Sequence, residues 1–386
     1  MRFVVAMVVL GATSLASAEG VIIDHTESYS HLSLSAYVEA FYQYNFNRPS
    51  NLITAYRAFD DRTNSFTVAN AVLEVKDDIN DAVWTDLALQ IGHTGAAYYS
   101  AETASPAQGG VGASDADLWR YIQQAIIGYR TRGPVIEGGI FLSTIGLEGL
   151  AIKDQYNWSR SQLFNALPFY HAGVRATWPV SHELALVTMI TNGWNDIVNR
   201  NPYPCFEVML QYKPSDNLSA QALYFGGIER PTGAPEGQPW RHLFDATATW
   251  KVSDQFAIAG QADTGFERND FGTSYWYDGA AYIQVYLTQP QPYHPQVFLA
   301  ARQDFIHEHV PGLATPMFFP ANDVQSTTLT LDYRPHKNIA LKLEYRYDHA
   351  SDPLFYKGDV AVDANGLDIP TARSQQTLTL GATSWF

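Results

Sequence analysis

The sequence predicts an all-β protein, a transmembrane antiparallel β-barrel of about sixteen strands, and three observations carry that prediction. Apolar and polar residues alternate with a period of two in one segment after another, as they do along β-strands. Long and short polar connections alternate between these segments. Charged residues make up only 16% of the chain and aromatic residues 13%, whereas average proteins carry about 25% charged residues.

The first eighteen residues, 1–18, have the pattern of a cleaved signal peptide. Arg2 precedes the apolar stretch 3–10, and Ala16, Ser17 and Ala18 form a small-residue cleavage site. We expect cleavage before Glu19, then a loose segment over 19–33 and a single barrel over 34–386. No later apolar run approaches the roughly 18 residues that a membrane helix needs.

The alternating segments define the strands in order along the chain. In the clearest of them, 339–348, an apolar face alternates with a face that carries Lys342, Glu344, Arg346 and Asp348. The predicted strands lie at 34–45, 65–76, 83–96, 118–130, 135–143, 166–178, 184–192, 204–212, 218–228, 240–250, 256–265, 276–288, 296–306, 324–333, 339–348 and 374–386.

The connections between these strands are short and long in strict alternation. Short turns are expected at 77–82, 131–134, 179–183, 213–217, 251–255, 289–295 and 334–338. Long connections are expected at 47–64, 97–117, 144–165, 193–203, 229–239, 266–275, 307–323 and 349–373. Outer-membrane barrels have short periplasmic turns and long outer loops, whereas a soluble sandwich has no reason to keep this order.

The last strand ends on the aromatic residue Phe386, which we interpret as a signal for barrel assembly. Other aromatic residues cluster near the short turns and near the terminus, where rings straddle lipid and water in a girdle. This predicted periplasmic girdle consists of Tyr129, Trp178, Tyr212, Trp250, Tyr333 and Trp385.

Three stretches carry a resemblance to a known family. They are YVEAFYQYNFNRPSN at 37–51, NSFTVANAVLEV at 64–75 and NWSRSQLFNALPFYHAGVRATW at 157–178. Together they resemble the OmpL-like putative β-barrel porin family of bacterial outer membranes, most distinctly over residues 35–200. The resemblance implies a barrel with a solute-conducting role. It supplies no substrate and no catalytic residues.

Signatures of enzyme, cofactor and metal sites are scarce in this sequence. Motifs of serine hydrolases, P-loop proteins and zinc proteases are missing, so no enzyme, no cofactor and no metal site is predicted. The glycine cluster 109–112 is interpreted as a flexible loop. His307 and His309, at the end of a strand, are interpreted as a solvated loop edge and not as a metal site. Cys205, the single cysteine, is expected to be a small apolar side chain. The formal net charge of −15 argues against a nucleic-acid partner.

The charged residues suggest where solutes would meet the protein. By similarity to general porins, the third outer loop, 144–165, is a candidate to fold inward, and an outward, solvent-facing loop is the alternative. If it folds inward, Glu148, Lys153, Asp154 and Arg160 are its constriction candidates. Charged side chains avoid lipid, so those on alternating strand positions are assigned to the lumen, where most are expected to brace the wall. These pore-lining candidates are Glu39, Asp86, His171, Arg175, Arg302, Asp304, Lys342, Glu344 and Arg346.

The sequence therefore predicts a porin of the bacterial outer membrane, a passive diffusion channel for small hydrophilic solutes or ions with a modest cation preference. A structural or adhesive barrel with a blocked lumen, an outer-membrane lipase and a soluble secreted β-protein remain as alternatives. The expected partners are outer-membrane lipid and lipopolysaccharide, the barrel-assembly machinery and, in a homotrimer, further copies of the chain. A monomer is equally compatible with the sequence.

Overall fold

The fold is a single antiparallel sheet, seen in a computed structural model that describes residues 21–24, 31–100, 102, 119–288 and 294–386. The strands are β1 Val21–Asp24, β2 His31–Asn45, β3 Ser65–Asp78, β4 Val83–Ile91, β5 Ile122–Arg130, β6 Val135–Leu142, β7 Tyr170–Pro179, β8 Leu184–Thr191, β9 Cys205–Ser215, β10 Leu218–Ile228, β11 Trp240–Ser253, β12 Phe256–Asn269, β13 Gly272–Tyr286, β14 Gln296–His309, β15 Asp323–His336, β16 Ile339–Ala350 and β17 Ser374–Trp385. The helices are α1 His93–Tyr98 and α2 Gln162–Asn165, with a 3-10 turn at Ile152–Asp154. Within the described residues, no helix is long and apolar enough to cross a membrane.

The sheet closes on itself as a barrel of sixteen strands, β2 to β17. Each of these strands pairs with the next along the chain, and β17 pairs with β2 from Thr377 opposite Asn45 to Trp385 opposite Tyr37. Closure leaves no unpaired edge, which is the condition for a sheet to lie in lipid. The barrel and its strand number confirm the predicted fold class.

The distribution of exposed side chains is inverted relative to a soluble protein. On β16, Leu341, Leu343 and Tyr345 are about 40% exposed, while Lys342 and Glu344 between them are at most 1% exposed. The apolar face therefore lies on the outside of the barrel, where lipid covers it, and the charged face lies in the lumen. A soluble sandwich would place these faces the other way round.

The N-terminal part of the described chain differs from the expectation of a loose segment over 19–33. Val21–Asp24 forms β1, which pairs with His31–Leu34 of β2 in antiparallel register. The predicted signal peptide, 1–18, and the glycine cluster 109–112 lie outside the described residues.

One predicted long connection, 266–275, is wrong. β12 continues to Asn269 and β13 begins at Gly272, so only residues 270 and 271 join the two strands. The side-chain oxygen of Asn269 accepts a hydrogen bond from the backbone N–H of Phe271 at 3.0 Å, and Gly272 has a φ of +134°. This local turn and the left-handed freedom of glycine replace the expected loop.

Two strand ends also differ from the prediction. The predicted strand 83–96 ends at Ile91, and α1 follows it. The predicted strand 166–178 begins only at Tyr170, because α2 occupies the preceding segment with Ser161 as its N-cap, whose hydroxyl accepts a hydrogen bond from Phe164.

Five of the six residues predicted for the periplasmic girdle lie on the outer surface, and Phe386 takes the place of Trp385 there. Tyr129, Trp178, Tyr212, Trp250 and Tyr333 are 39–51% exposed on the outer surface. Trp385 is only 4% exposed and packs inside the barrel with Tyr37 and Ala340, whereas Phe386 is 48% exposed. Because side chains alternate across the sheet, Phe386 faces outward with Leu378 and Leu380, and Trp385 faces inward.

Candidate functional site

The lumen is the candidate site, and a long loop lies within it. This inner loop, residues 143–169, joins β6 to β7 and touches the opposite wall of the barrel. Its backbone N–H groups donate to wall carboxylates: Ile152 to Glu39 at 2.5 Å, Trp158 to Glu344 at 2.6 Å and Gln162 to Asp304 at 2.9 Å. The wall carboxylates thus satisfy backbone groups that would otherwise be buried without partners.

Arginines on the same wall bind the carbonyl groups of the inner loop. Arg302 donates to the carbonyl oxygen of Ser159 at 2.6 Å, and Arg346 donates to the carbonyl oxygen of Arg160. Each guanidinium also pairs with a carboxylate on its own strand, Asp304 at 2.9 Å and Asp348 at 2.6 Å. The ammonium of Lys342, further towards the periplasmic end, donates to the carbonyl oxygen of Gln155 at 2.5 Å.

These contacts show what surrounds several of the pore-lining candidates. Arg302, Asp304, Lys342, Glu344 and Arg346 face the lumen, but each is at most 1% exposed because the inner loop covers it. They hold the loop against the wall. Glu39, also 1% exposed, does the same at the other side of the loop.

The four constriction candidates do not form an opposed pair of acid and base across an opening. Lys153 and Asp154 pair with each other at 2.7 Å. Arg160 donates to the loop's own carbonyl oxygens at Gly149 and Trp158, at 2.8 and 2.9 Å. Of the four, Glu148 alone lines the cavity described below, and its carboxylate pairs with Arg302 at 2.8 Å.

A cavity of about 360 Å³ lies between the inner loop and the walls formed by β3 to β11. It extends from the periplasmic ends of these strands to residues 142–150, and we call it the periplasmic cavity. Two of the pore-lining candidates, Asp86 and Arg175, line it. Arg175 pairs with Glu137 at 2.7 Å, and Asp86 pairs with Lys76 at 2.9 Å.

Aromatic side chains from the long loops and from β7 pack together in the lumen beyond the cavity. Tyr98, Tyr99 and Tyr170 are fully buried, with ring centroids 4.7–4.9 Å apart. Phe59 and Phe164 pack in the same cluster. We call these five residues the aromatic plug. The plug lies on the outer side of the periplasmic cavity, and its residue Phe164 also lines that cavity.

His171, another pore-lining candidate, is fully buried beside the plug and does not line the cavity. One ring nitrogen lies 3.2 Å from the carbonyl oxygen of Gly193, and the other lies 3.4 Å from the hydroxyl of Ser143. The histidine therefore connects β7 to the inner loop and to the loop between β8 and β9.

Two buried acidic residues lie close together, Asp196 in the loop between β8 and β9 and Glu229 directly after β10. Burial raises the pKa of Asp196 to about 8, and neighbouring Glu229 adds to this effect while Arg200, at 2.7 Å, opposes it. Burial also raises the pKa of Glu229, which accepts hydrogen bonds from Cys205 and from the N–H of Trp194. The packing of this loop thus favours protonated carboxyl groups.

Comparison with known proteins decides the family. The family profile described as "Putative beta-barrel porin-2, OmpL-like" matches residues 31–386. The chain belongs to this family. No match was found among curated protein sequences. As a member of a porin family with outer-membrane neighbours, this porin is a protein of the bacterial outer membrane.

Solved structures share the fold of this porin at low sequence identity. OmpT of Vibrio cholerae is 9% identical with a TM-score of 0.57, over 96% of this chain and 100% of that one. The anion-selective porin of Comamonas acidovorans is 11% identical with a TM-score of 0.59, over 92% and 100%. The channel DcaP of Acinetobacter baumannii is 12% identical with a TM-score of 0.59, over 94% and 99%.

Sequence reasoning missed the aromatic plug of this porin, although a signal for it exists. Phe59, Tyr98, Tyr99 and Phe164 lie at strand ends or in connections, and large rings there must either be buried or face a partner.

His307 and His309 face outward, and their rings stack on Tyr277 and Tyr275. Within the described residues, no group of three His, Cys, Asp or Glu side chains is placed to hold a metal ion.

Proposed function

We propose that this porin is a passive diffusion channel for small solutes or ions, and that the periplasmic cavity is its inner vestibule. The observation that carries the proposal is the cavity of about 360 Å³ between a loop held inside the barrel and the wall formed by β3 to β11. A loop that narrows the lumen is a means of selecting solutes by size and charge. Five carboxylates and three basic groups line the cavity, which supports a modest cation preference.

In this proposal the aromatic plug closes the channel on the outer side, and passage requires the plug to move. Three of the five plug residues, Phe59, Tyr98 and Tyr99, come from loops outside the inner loop. Loops are the parts of a barrel that move most easily, because fewer backbone hydrogen bonds hold them. The wall and the inner loop would remain in place during opening.

A structural barrel with a blocked lumen is the second candidate function, and the aromatic plug favours it. Tyr98, Tyr99 and Tyr170 are fully buried, as in a packed core. In this alternative the cavity is a closed recess, and the outer loops serve contact with other molecules. The two candidates differ in whether the plug ever opens.

Planar-bilayer recording of the wild-type protein and two matched variants separates these candidates. Tyr99→Ala removes a ring from the plug, and Tyr277→Ala removes an outward ring that is 47% exposed. The channel proposal expects stepwise currents from the wild type and a several-fold higher open fraction from Tyr99→Ala alone. A salt gradient across the bilayer then gives the ion preference from the reversal potential. Silence of all three proteins at high protein density would support the blocked barrel.

We also propose that the protein forms a homotrimer. One of the structural neighbours, OmpT of Vibrio cholerae, is described in a trimer form and has a TM-score of 0.57 to this chain at 10% identity. Native mass spectrometry of the detergent-extracted protein tests the proposal. A mass of three chains supports it, and a mass of one chain contradicts it.

A further inference from the structure

The two ends of the periplasmic cavity differ in chemistry. At the end formed by the inner loop and the outer end of β6, the cavity wall is mostly apolar, with Glu148 as its one charged residue. The residues that form this apolar end are Leu142, Ile145, Leu147, Leu150, Phe169 and Met209. Three of them, Leu142, Leu147 and Phe169, remain partly exposed, so their surfaces are available to a solute.

All the charged lining groups except Glu148, whose carboxylate pairs with Arg302 at 2.8 Å, lie at the opposite end, near the periplasmic ends of the strands. Each of the three basic groups of the described lining already has a carboxylate partner: Lys76 pairs with Asp86 at 2.9 Å, Arg130 with Asp78 at 2.8 Å and Arg175 with Glu137 at 2.7 Å. An anionic solute would have to break one of these pairs. The lining contains more carboxylates than bases, so the mouth of the cavity favours a cation.

A buried acceptor at this mouth lacks a hydrogen-bond donor. Asp86 is 3% exposed, and its Oδ1 atom accepts no hydrogen bond within the described structure. Its Oδ2 atom accepts a hydrogen bond from the side-chain amide of Gln124 at 2.8 Å and pairs with the ammonium of Lys76 at 2.9 Å. The Lys76 side chain is 48% exposed and can swing into water. Glu74 lies on the other side of the same ammonium at 3.2 Å. The Lys76 ammonium thus marks a position between two carboxylates. An external ammonium group can take this position when the Lys76 side chain moves into water.

We propose that the periplasmic cavity binds an amphipathic organic amine, with its apolar body against the inner loop and its ammonium group beside Asp86 and Glu74. This inference rests on the proposed function and names the class of solute that the vestibule takes. Burial of apolar surface strengthens binding by about fourfold for each methylene removed from water. The carboxylates supply charge-assisted hydrogen bonds to the head group. A sugar-like solute has neither an apolar body to bury nor an ammonium group, so it would gain neither contribution.

Three probes test the inference through their block of single-channel current when added on the periplasmic side. Hexylammonium has both the apolar chain and the ammonium group. Hexanoate has a similar chain with a negative charge, and methylammonium has the ammonium group without the chain. Hexylammonium is expected to block at a concentration at least about tenfold lower than either of the others. Equal block by hexanoate or by methylammonium would overturn the inference.

Matched variants locate the binding site. Leu142→Asn places a polar group at the apolar end and should weaken block by hexylammonium about tenfold, whereas Leu313→Asn, at a loop residue that is 85% exposed, should leave it unchanged. Lys76→Met removes the competing ammonium and should strengthen the block several-fold. Block that is insensitive to both Leu142→Asn and Lys76→Met contradicts the inference, even if the wild-type probes differ.

Binding of the amine and conductance of ions can be measured separately. Equilibrium dialysis of hexylammonium against the protein in lipid nanodiscs measures binding without any current. Saturable binding that Leu142→Asn weakens, in a protein that conducts no ions, supports the binding site and contradicts the channel. Ionic conductance without preference for hexylammonium supports the channel and contradicts the amine site.

Discussion

The indole ring of Trp158, in the inner loop, packs directly on the backbone of Gly381 in β17. A β-carbon at position 381 would lie only 2.1 Å from the Cε3 atom of Trp158, well inside contact distance. Phe41 of the neighbouring strand completes the site, with its ring centroid 5.8 Å from that of Trp158. The last strand of the barrel therefore has a glycine at the point where the inner loop meets the wall.

Gly381→Ala is expected to displace the inner loop. The added methyl group cannot coexist with the rigid indole, so Trp158 must leave its position, and overpacking of this kind costs about 1–3 kcal/mol of the free energy of unfolding. Unfolding in urea, followed by tryptophan fluorescence, measures the loss. Protease cleavage within residues 143–169 should become faster as well.

Gly260→Ala is the matched control for this substitution. A β-carbon at position 260 would lie 3.7 Å from the carbonyl oxygen of Ala280, an ordinary contact. The free energy of unfolding should stay the same or rise slightly, since alanine reduces the freedom of the unfolded chain. Equal effects of the two glycine substitutions would contradict the packing role of Gly381.

Arg302→Gln is expected to destabilise the barrel strongly. The substitution leaves Asp304 and Glu148 without their cationic partner in a buried site, and removal of one member of a buried ion pair costs about 3–5 kcal/mol. The midpoint of urea unfolding should fall accordingly. The current through open channels should also become noisier, because the inner loop loses its bond to Ser159.

Lys251→Gln provides the comparison for an exposed pair. Lys251 pairs with Asp254 at 3.0 Å in a periplasmic turn, and the Asp254 side chain is 89% exposed. Pairs in water contribute about 0–1 kcal/mol, so stability should hardly change. A similar loss in both variants would show that burial of Arg302 is not the source of the effect.

The strands could be predicted from sequence because lipid imposes a pattern at every strand. Leu341, Leu343 and Tyr345 must face lipid, and Lys342 and Glu344 between them must not. The function of those inward charges could not be predicted in the same way. Arg302 binds the carbonyl oxygen of Ser159, 143 positions away in the sequence, and only the folded loop brings the two groups together.

The turn between β12 and β13 could not be predicted for a similar reason. The stretch from Glu267 to Gly272 has the polar composition of a loop. However, the Glu267 carboxylate faces inward and pairs with Arg230 at 2.6 Å and Arg241 at 3.0 Å. These distant partners extend the strand beyond the end that composition indicates.

The stability of the loop between β8 and β9 is expected to decrease as pH rises through about 8. The pKa of Asp196 is raised to about 8 by burial, well above the value of about 3.9 in an unfolded chain. The folded loop therefore holds its proton more tightly than the unfolded loop, and the stabilisation present at low pH is lost as the carboxyl group ionises. Hydrogen exchange of backbone amides in 192–204 should show less protection at pH 9 than at pH 6, after correction for intrinsic exchange rates.

Asp196→Asn removes the titrating group and should remove this difference. Protection of 192–204 in the variant should be similar at both pH values and should exceed that of the wild type at pH 9. Any remaining dependence in the variant would come from Glu229, whose pKa is also raised by burial. A wild-type loop equally protected at both values would contradict the prediction.

Deletion of Phe386 is expected to impair barrel assembly more than conductance. The residue exchanges two backbone hydrogen bonds with Ala36, at 3.1 and 3.2 Å, and its ring is 48% exposed at the periplasmic end of the barrel. These contacts close the last strand against β2, but they lie far from the aromatic plug. The fraction of heat-modifiable, folded protein in outer membranes should fall, while barrels that do assemble should conduct as the wild type does.

Two substitutions separate the ring from the backbone in this effect. Phe386→Ser keeps both hydrogen bonds to Ala36 and removes the outward ring, and Trp385→Phe alters only an inward ring. If the outward ring is the signal for assembly, Phe386→Ser should lower the folded fraction as much as the deletion does, and Trp385→Phe should have little effect. A normal folded fraction in Phe386→Ser would assign the effect to the backbone pair, and a normal fraction in the deletion would remove Phe386 from assembly altogether.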